Sequence, residues 1–106
     1  MLLAQAINQF VDGYFSTHER SGKTRVAYWF DLRQLAAYAP PDYRLMSISP
    51  AFVESWAAHL RCKKYSPASI RRKLVVLRVF CGYWTRRGEL HESPFWRVKL
   101  SYGRSF

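Results

Sequence analysis

Ser66 to Gly88, SPASIRRKLVVLRVFCGYWTRRG, decides how the rest of the chain is read. A serine followed by a proline is a helix-start signal: the hydroxyl accepts an orphan backbone N–H, and proline tolerates the first helical position. Gly88 supplies the stop, because glycine readily takes the left-handed conformation on which helices commonly end. Between these marks Ile70, Leu74, Leu77, Cys81 and Trp84 recur at spacings of four, three, four and three. That pattern places them on one stripe of a 3.6-residue helix and predicts a buried face. The opposite face collects Arg71, Arg72, Val75, Val79, Gly82 and Arg86, with Arg78 at its edge. Lys73 falls on the flank of the core stripe, where its stem is expected to cover apolar surface and carry the ammonium out to water.

Immediately upstream, Lys63, Lys64 and Tyr65 form a short turn that brings two further cations to the N-terminus of this helix. A phosphate there would meet both the helix dipole and the lysines; the alternative is a solvated turn. Ser49 and Pro50 repeat the start signal and open a helix ending near Cys62, with Phe52, Val53, Trp56, Ala57 and Leu60 on its buried side. Residues 40–48 read as a loop. Before it, Ser21 to Thr24 open a helix that runs to about Ala39 and is ended by Pro40 and Pro41. Tyr28, Leu32, Leu35 and Ala39 face the core, with Trp29 and Ala36 beside them, while Val26 and Phe30 fall on the outward face. Phe30 is expected to pack against the aromatic C-terminal segment, the alternative being a partner. Lys23, Thr24 and Arg25 lie in the first turn, where backbone N–H groups and cations together suit a phosphate. Residues 3–18 form the first helix, with Leu3, Ile7, Phe10, Val11 and Tyr14 on one side. After Gly88 a loop leads to a last short helix at Pro94 to Val98. The expected fold is all-α: four main helices and a short C-terminal one in a single bundle.

Seventeen Lys and Arg against seven Asp and Glu leave a net charge of +10 on 106 residues. Such an excess favours a polyanionic partner, nucleic acid first. Arginines outnumber lysines twelve to five, which suits phosphate forks more than simple solubility. Aromatic residues make up 17% of the chain, which argues against disorder. No apolar run approaches the roughly 18 residues of a membrane span. Cys62 and Cys81 are too few and too isolated for a disulfide framework and read as reduced thiols. His18, His59 and His91 lie far apart with no ligand partner at a metal-binding spacing, so no metal or other cofactor is expected. There is no phosphate-cradling glycine loop, no serine elbow and no paired carboxylates, so the residues point to a binding module with no catalytic group.

With these motifs in place the chain resembles the N-terminal core-binding, or SAM-like, domain of phage integrases and other tyrosine recombinases. That pattern has a short I-(T/S)-P helix start, here Ile48, Ser49 and Pro50. It continues with an L-(S/T)-P-x-S-I turn, matched at Ser66, Pro67, Ser69 and Ile70. Next comes R-x-L-x-x-L-R-x-F-x-x-Y, matched at Arg72, Leu74, Leu77, Arg78, Phe80 and Tyr83, and then Gly88 and Ser93–Pro94. Ser21, Thr24, Tyr28, Asp31 and Leu32 are similar to the family's S-P-x-T-x-x-x-Y-x-x-D-L, with Gly22 in place of the proline. The resemblance implies a helical domain over residues 1–98 that clamps one face of duplex DNA. It also implies a linker beginning at 99–106 toward a C-terminal catalytic domain, here absent. Double-stranded DNA, that catalytic domain and other recombinase protomers are the implied partners, in a bacterial or archaeal cytoplasm and with no membrane.

The DNA-binding set expected from residues and resemblance together is Lys23, Thr24, Arg25, Lys64, Ser66, Ser69, Arg71, Arg72 and Arg78. Val26, Trp29 and Phe30 stand where family members often carry basic or polar residues, which shifts the expected grip toward the fourth helix. Arg78 has an alternative role in capping a neighbouring helix or holding Asp31. Gly82 either lets DNA approach closely or admits another helix. The competing reading is a helical protein-interaction module whose charge is incidental, with Val26, Phe30 and the aromatic C-terminal segment as its interface.

Overall fold

The computed structural model describes residues 1–17 and 22–97; His18, Ser21, the end of the expected last helix at Val98 and the expected linker at 99–106 lie outside the described residues. Four α-helices follow in order: α1 (Leu3–Thr17), α2 (Gly22–Tyr38), α3 (Pro50–Cys62) and α4 (Pro67–Arg86). Two 3₁₀ turns, Leu45–Ser47 and Pro94–Arg97, complete the element order, and no strand occurs among the described residues.

The two serine–proline starts behave alike. Ser49 Oγ accepts the Phe52 amide at 3.1 Å and Ser66 Oγ accepts the Ser69 amide at 3.2 Å, with a proline following each cap. Each such cap is worth about 1 kcal/mol. At the other end of α4 Gly88 sits at φ 82, and the Arg87 and Gly88 amides return to the Tyr83 and Thr85 carbonyls. α3 ends less economically: Lys64 takes φ 64, a conformation that costs a side-chain-bearing residue about 1 kcal/mol or more.

α4 is the element on which the others pack, meeting α1, α2 and α3. Its predicted stripe is buried throughout, and Val76, Phe80 and Lys73 are buried with it, so the inner face is wider than one row. Val75 and Val79, expected on the outer face, are partly covered, and Val79 packs against the core. From α1, Phe10 lies edge-on to Phe80 and Tyr83, at centroid separations of 5.4 and 5.2 Å, and stacks on Tyr14 at 5.0 Å. Gly13 makes room for this cluster, because a Cβ there would fall on Tyr83 Oη. On the α3 side, Tyr38 of α2 packs on Trp56 and His59 and donates its hydroxyl to Ser55 Oγ at 2.8 Å.

Three expectations are corrected. The 40–48 loop is not featureless: it holds the 3₁₀ turn with Leu45 buried, and it is tied to the N-terminus by Leu3 N to Tyr43 O and Leu45 N to Met1 O at 2.8 and 3.0 Å. Its partners lie about forty residues away, so no local pattern marks it. Trp29 does not join the core edge; it is 39% exposed, edge-on to Phe30, with the Arg33 guanidinium over its ring. Phe30 is 63% exposed, and most of the C-terminal segment expected to pack on it lies outside the described residues. Lys73, finally, does not carry its ammonium to water; it is buried against a carboxylate.

Candidate nucleic-acid interface

Between Ser55 and Gly88 the chain carries nine cations and no carboxylate. Of these nine, Lys73 is buried, while Arg61, Lys63, Lys64, Arg71, Arg72, Arg78, Arg86 and Arg87 are exposed. For the arginines of α4 the helix rule explains the outcome: with the stripe turned inward, they lie on the sides of the helix turned away from it. Arg71 and Lys64 have no carboxylate partner among the described residues, so their charge is available to an anion. Ser66 and Ser69 stand at the first turn of α4, with Ser66 Oγ donating to Ser69 Oγ at 3.1 Å, so both hydroxyls serve the cap before they serve any ligand.

Arg72 is placed differently from Arg71. Its Nη2 donates to Asp31 Oδ1 at 3.2 Å while the side chain stays 58% exposed. Asp31 is 5% exposed and is held a second time by Lys73, whose ammonium lies 2.8 Å from Oδ1 and 2.7 Å from Gln34 Oε1. Gln34 in turn donates to Tyr65 Oη at 2.7 Å, and Lys73 Nζ sits 5.0 Å from the centre of the Tyr65 ring. Asp31 Oδ2 is buried with no hydrogen-bond partner among the described residues. Breaking such a buried pair is costly, because the surviving charge is left without compensation.

The expected set divides in two. Gln34, C-terminal to Asp31, meets Tyr65 ahead of α4, whereas Tyr28, N-terminal to it, stacks near Tyr14, which meets Tyr83 towards the end of α4. α2 and α4 therefore pass in opposite senses. Lys64, Ser66, Ser69, Arg71 and Arg72 gather around the start of α4, while Lys23, Thr24 and Arg25 begin α2 at the other end. Lys23 is exposed, Thr24 is half-buried, and Arg25 pairs with Asp12 at 3.1 Å in an exposed contact worth about 0–1 kcal/mol. Arg78 lies between the groups, beside a cavity of about 390 Å³ that it lines with Tyr14, Val79, Gly82, Arg86 and Ser93. No other helix packs on Gly82 among the described residues: a Cβ there would stand 3.4 Å from Arg86 Nη1, so the arginine four residues on lies beside it.

Sequence reasoning missed Lys73, Gln34 and Tyr65 as a supporting group for Arg72. The signal available was a charged residue on the apolar flank of each helix, Asp31 on α2 and Lys73 on α4, which is the arrangement expected of partners. Elsewhere on the surface, Val26, Trp29 and Phe30 line a cavity of about 660 Å³ together with Asn8, Val11, Asp12 and Arg25. Among the described residues no group of three His, Cys, Asp or Glu side chains is placed to hold a metal ion, and no helix is long and apolar enough to cross a membrane.

Comparison with known proteins bears on the whole of this arrangement. No curated protein and no solved structure gives a match. The family model described as phage integrase, N-terminal SAM-like domain, matches residues 7–88, and no catalytic domain is evident within the 106 residues. Because that match runs from the first turns of α1 to the glycine that ends α4, taking in every main helix, the chain belongs to the phage integrase N-terminal SAM-like domain family.

Proposed function

We propose that the domain grips duplex DNA with the exposed face of α4 and the lysine turn before it, as the DNA-binding half of a tyrosine recombinase. A catalytic domain of the same parent protein would supply the cleavage chemistry, and the DNA would be met in the cytoplasm. The observation that carries this reading is the run from Ser55 to Gly88, in which eight exposed cations occur with no carboxylate between them. On an ordinary solvated surface both signs are interspersed. A surface of one sign beside a capped helix N-terminus suits a chain of phosphates.

Phosphate neutralisation then supplies most of the affinity, with non-specific binding of about 10⁻⁴ to 10⁻⁶ M at physiological salt. The test is fluorescence-anisotropy titration of a labelled duplex across a salt series, for the wild type and Arg71→Ala/Arg72→Ala. The expected result is binding that falls steeply with salt, and a slope of log K against log salt that is shallower in the variant by about 0.9 for each of the two arginines that meets a phosphate. Absence of binding at low salt overturns the reading. The second reading, a protein-interaction module, rests on the exposed Val26, Trp29 and Phe30 around their cavity. An interface of that kind is insensitive to salt and to the two arginine substitutions, which separates the two.

A further inference from the structure

The contact between Arg72 and Asp31 leads to a division of labour within the cationic face, and the inference rests on the DNA-binding reading above. An arginine paired with an exposed carboxylate loses its charge to the pair. At Arg72 that loss does not occur, because Lys73 is buried 2.8 Å from the same Asp31 oxygen and already balances it. The three groups together carry one net positive charge, and the exposed member is Arg72. Its guanidinium is thus braced at one Nη, 3.2 Å from a carboxylate held in the interior by Lys73, itself bonded to Gln34, while the Arg72 side chain stays 58% exposed. The ordering of a long side chain, ordinarily a cost of binding, is met before DNA arrives.

A braced, planar fork and a mobile one suit different targets. Phosphate oxygens accept from many directions, and Arg71, with no carboxylate partner among the described residues, is free to follow them. The O6 and N7 acceptors of guanine lie side by side in the major groove and require two parallel donors at a set orientation. We propose that Arg72 is a guanine-reading residue of this domain and that Asp31 is its positioning residue, with Lys73 keeping the brace from cancelling its charge.

Selection from a pool of randomised duplexes, followed by titration of the selected duplex and of its counterpart with the enriched guanine replaced, tests the assignment. The readout is the ratio of the two affinities, which is expected to be roughly tenfold for the wild type. Arg72→Lys keeps the cation and the Asp31–Lys73 pair but removes the fork, and its ratio is expected to fall towards one. Asp31→Leu/Lys73→Met removes the acceptor that braces Arg72 without changing the net charge and replaces the buried pair by apolar groups of similar shape. In it the ratio is expected to fall by a larger factor than the affinity for mixed-sequence DNA does. Melting followed by circular dichroism establishes that each variant is folded, and if the double variant is not, Arg72→Lys decides alone. Salt-sensitive binding with no enriched guanine, or a ratio that survives in Arg72→Lys, overturns the inference and leaves the DNA-binding reading standing. No binding to any duplex overturns that reading and the inference with it.

Discussion

α2 and α4 both open on basic or hydroxyl-bearing first turns and both cross the core, but they sort their side chains in opposite ways. α4 turns an apolar stripe inward and its cations outward, with the single exception of Lys73. α2 buries a carboxylate, Asp31, and leaves Val26, Trp29 and Phe30 at the surface. The two departures are linked: Lys73 and Asp31 are each other's reason for being inside. A helical wheel sorts residues by their preference for water, and that preference reverses when a partner of opposite charge waits in the interior. The comparison teaches that each helix of this pair is intelligible only with the other present.

The widest contrast lies between two phenylalanines. Phe80 on α4 is fully buried against Phe10, and Phe80→Ala is expected to cost about 3–5 kcal/mol in urea unfolding. Phe30 on α2 is 63% exposed, and Phe30→Ala is expected to change stability by no more than about 0.5 kcal/mol. A large loss at Phe30 would mean that the outward face of α2 is covered after all, and the contrast between the helices would fail.

Two aspartates sharpen the same comparison. Asp31→Ala strands a buried ammonium and is expected to cost about 3–5 kcal/mol. Asp12→Ala releases only the exposed Arg25 and is expected to cost less than about 1 kcal/mol. Equal losses would show that the Asp31 network is no more than another surface ion pair.

A further contrast, between the inner face of α4 and the solvent, concerns high pH. Burial pushes the Cys81 thiol up to about 12, above its ordinary value of 9.0, so the folded state holds a proton that the unfolded state releases. The stability this represents is complete below about pH 9 and is lost as the pH rises towards 12, with a slope of at most about 1.4 kcal/mol per pH unit. Burial and the neighbouring Tyr38 also raise Tyr43, whose contribution has the same sign. Alkaline melts of the wild type and Cys81→Ala are expected to converge as pH rises, because the variant lacks this loss. Parallel curves would show that the thiol is not shielded from water.

What could be read from the chain was whatever depends on neighbours within a turn or two. The serine–proline caps, the stop at Gly88, the buried stripe of α4 and the buried sides of α1 and α3 all follow from hydrogen-bonding chemistry and a 3.6-residue period, and the structure has each of them. The cations at the candidate site were legible as residues and as an exposed face. Their grouping was not, because it depends on α2 and α4 passing in opposite senses, which separates Lys23 and Arg25 from the start of α4.

The loop between α2 and α3 shows the same limit: its 3₁₀ turn is held by bonds to Met1 and Leu3, groups that approach only once the chain has folded. So does Gly13, whose missing side chain matters because Tyr83 arrives over it from seventy residues away. The sequence by itself determined the helices, their caps and a strong excess of positive charge, since these are local properties of the chain and its composition. Only the tertiary structure decided that Lys73 is buried, that Trp29 and Phe30 are not, and that Arg72 rests on Asp31. Those outcomes depend on which side chains meet across forty residues of chain, and a charge or a ring is placed by the partner it finds.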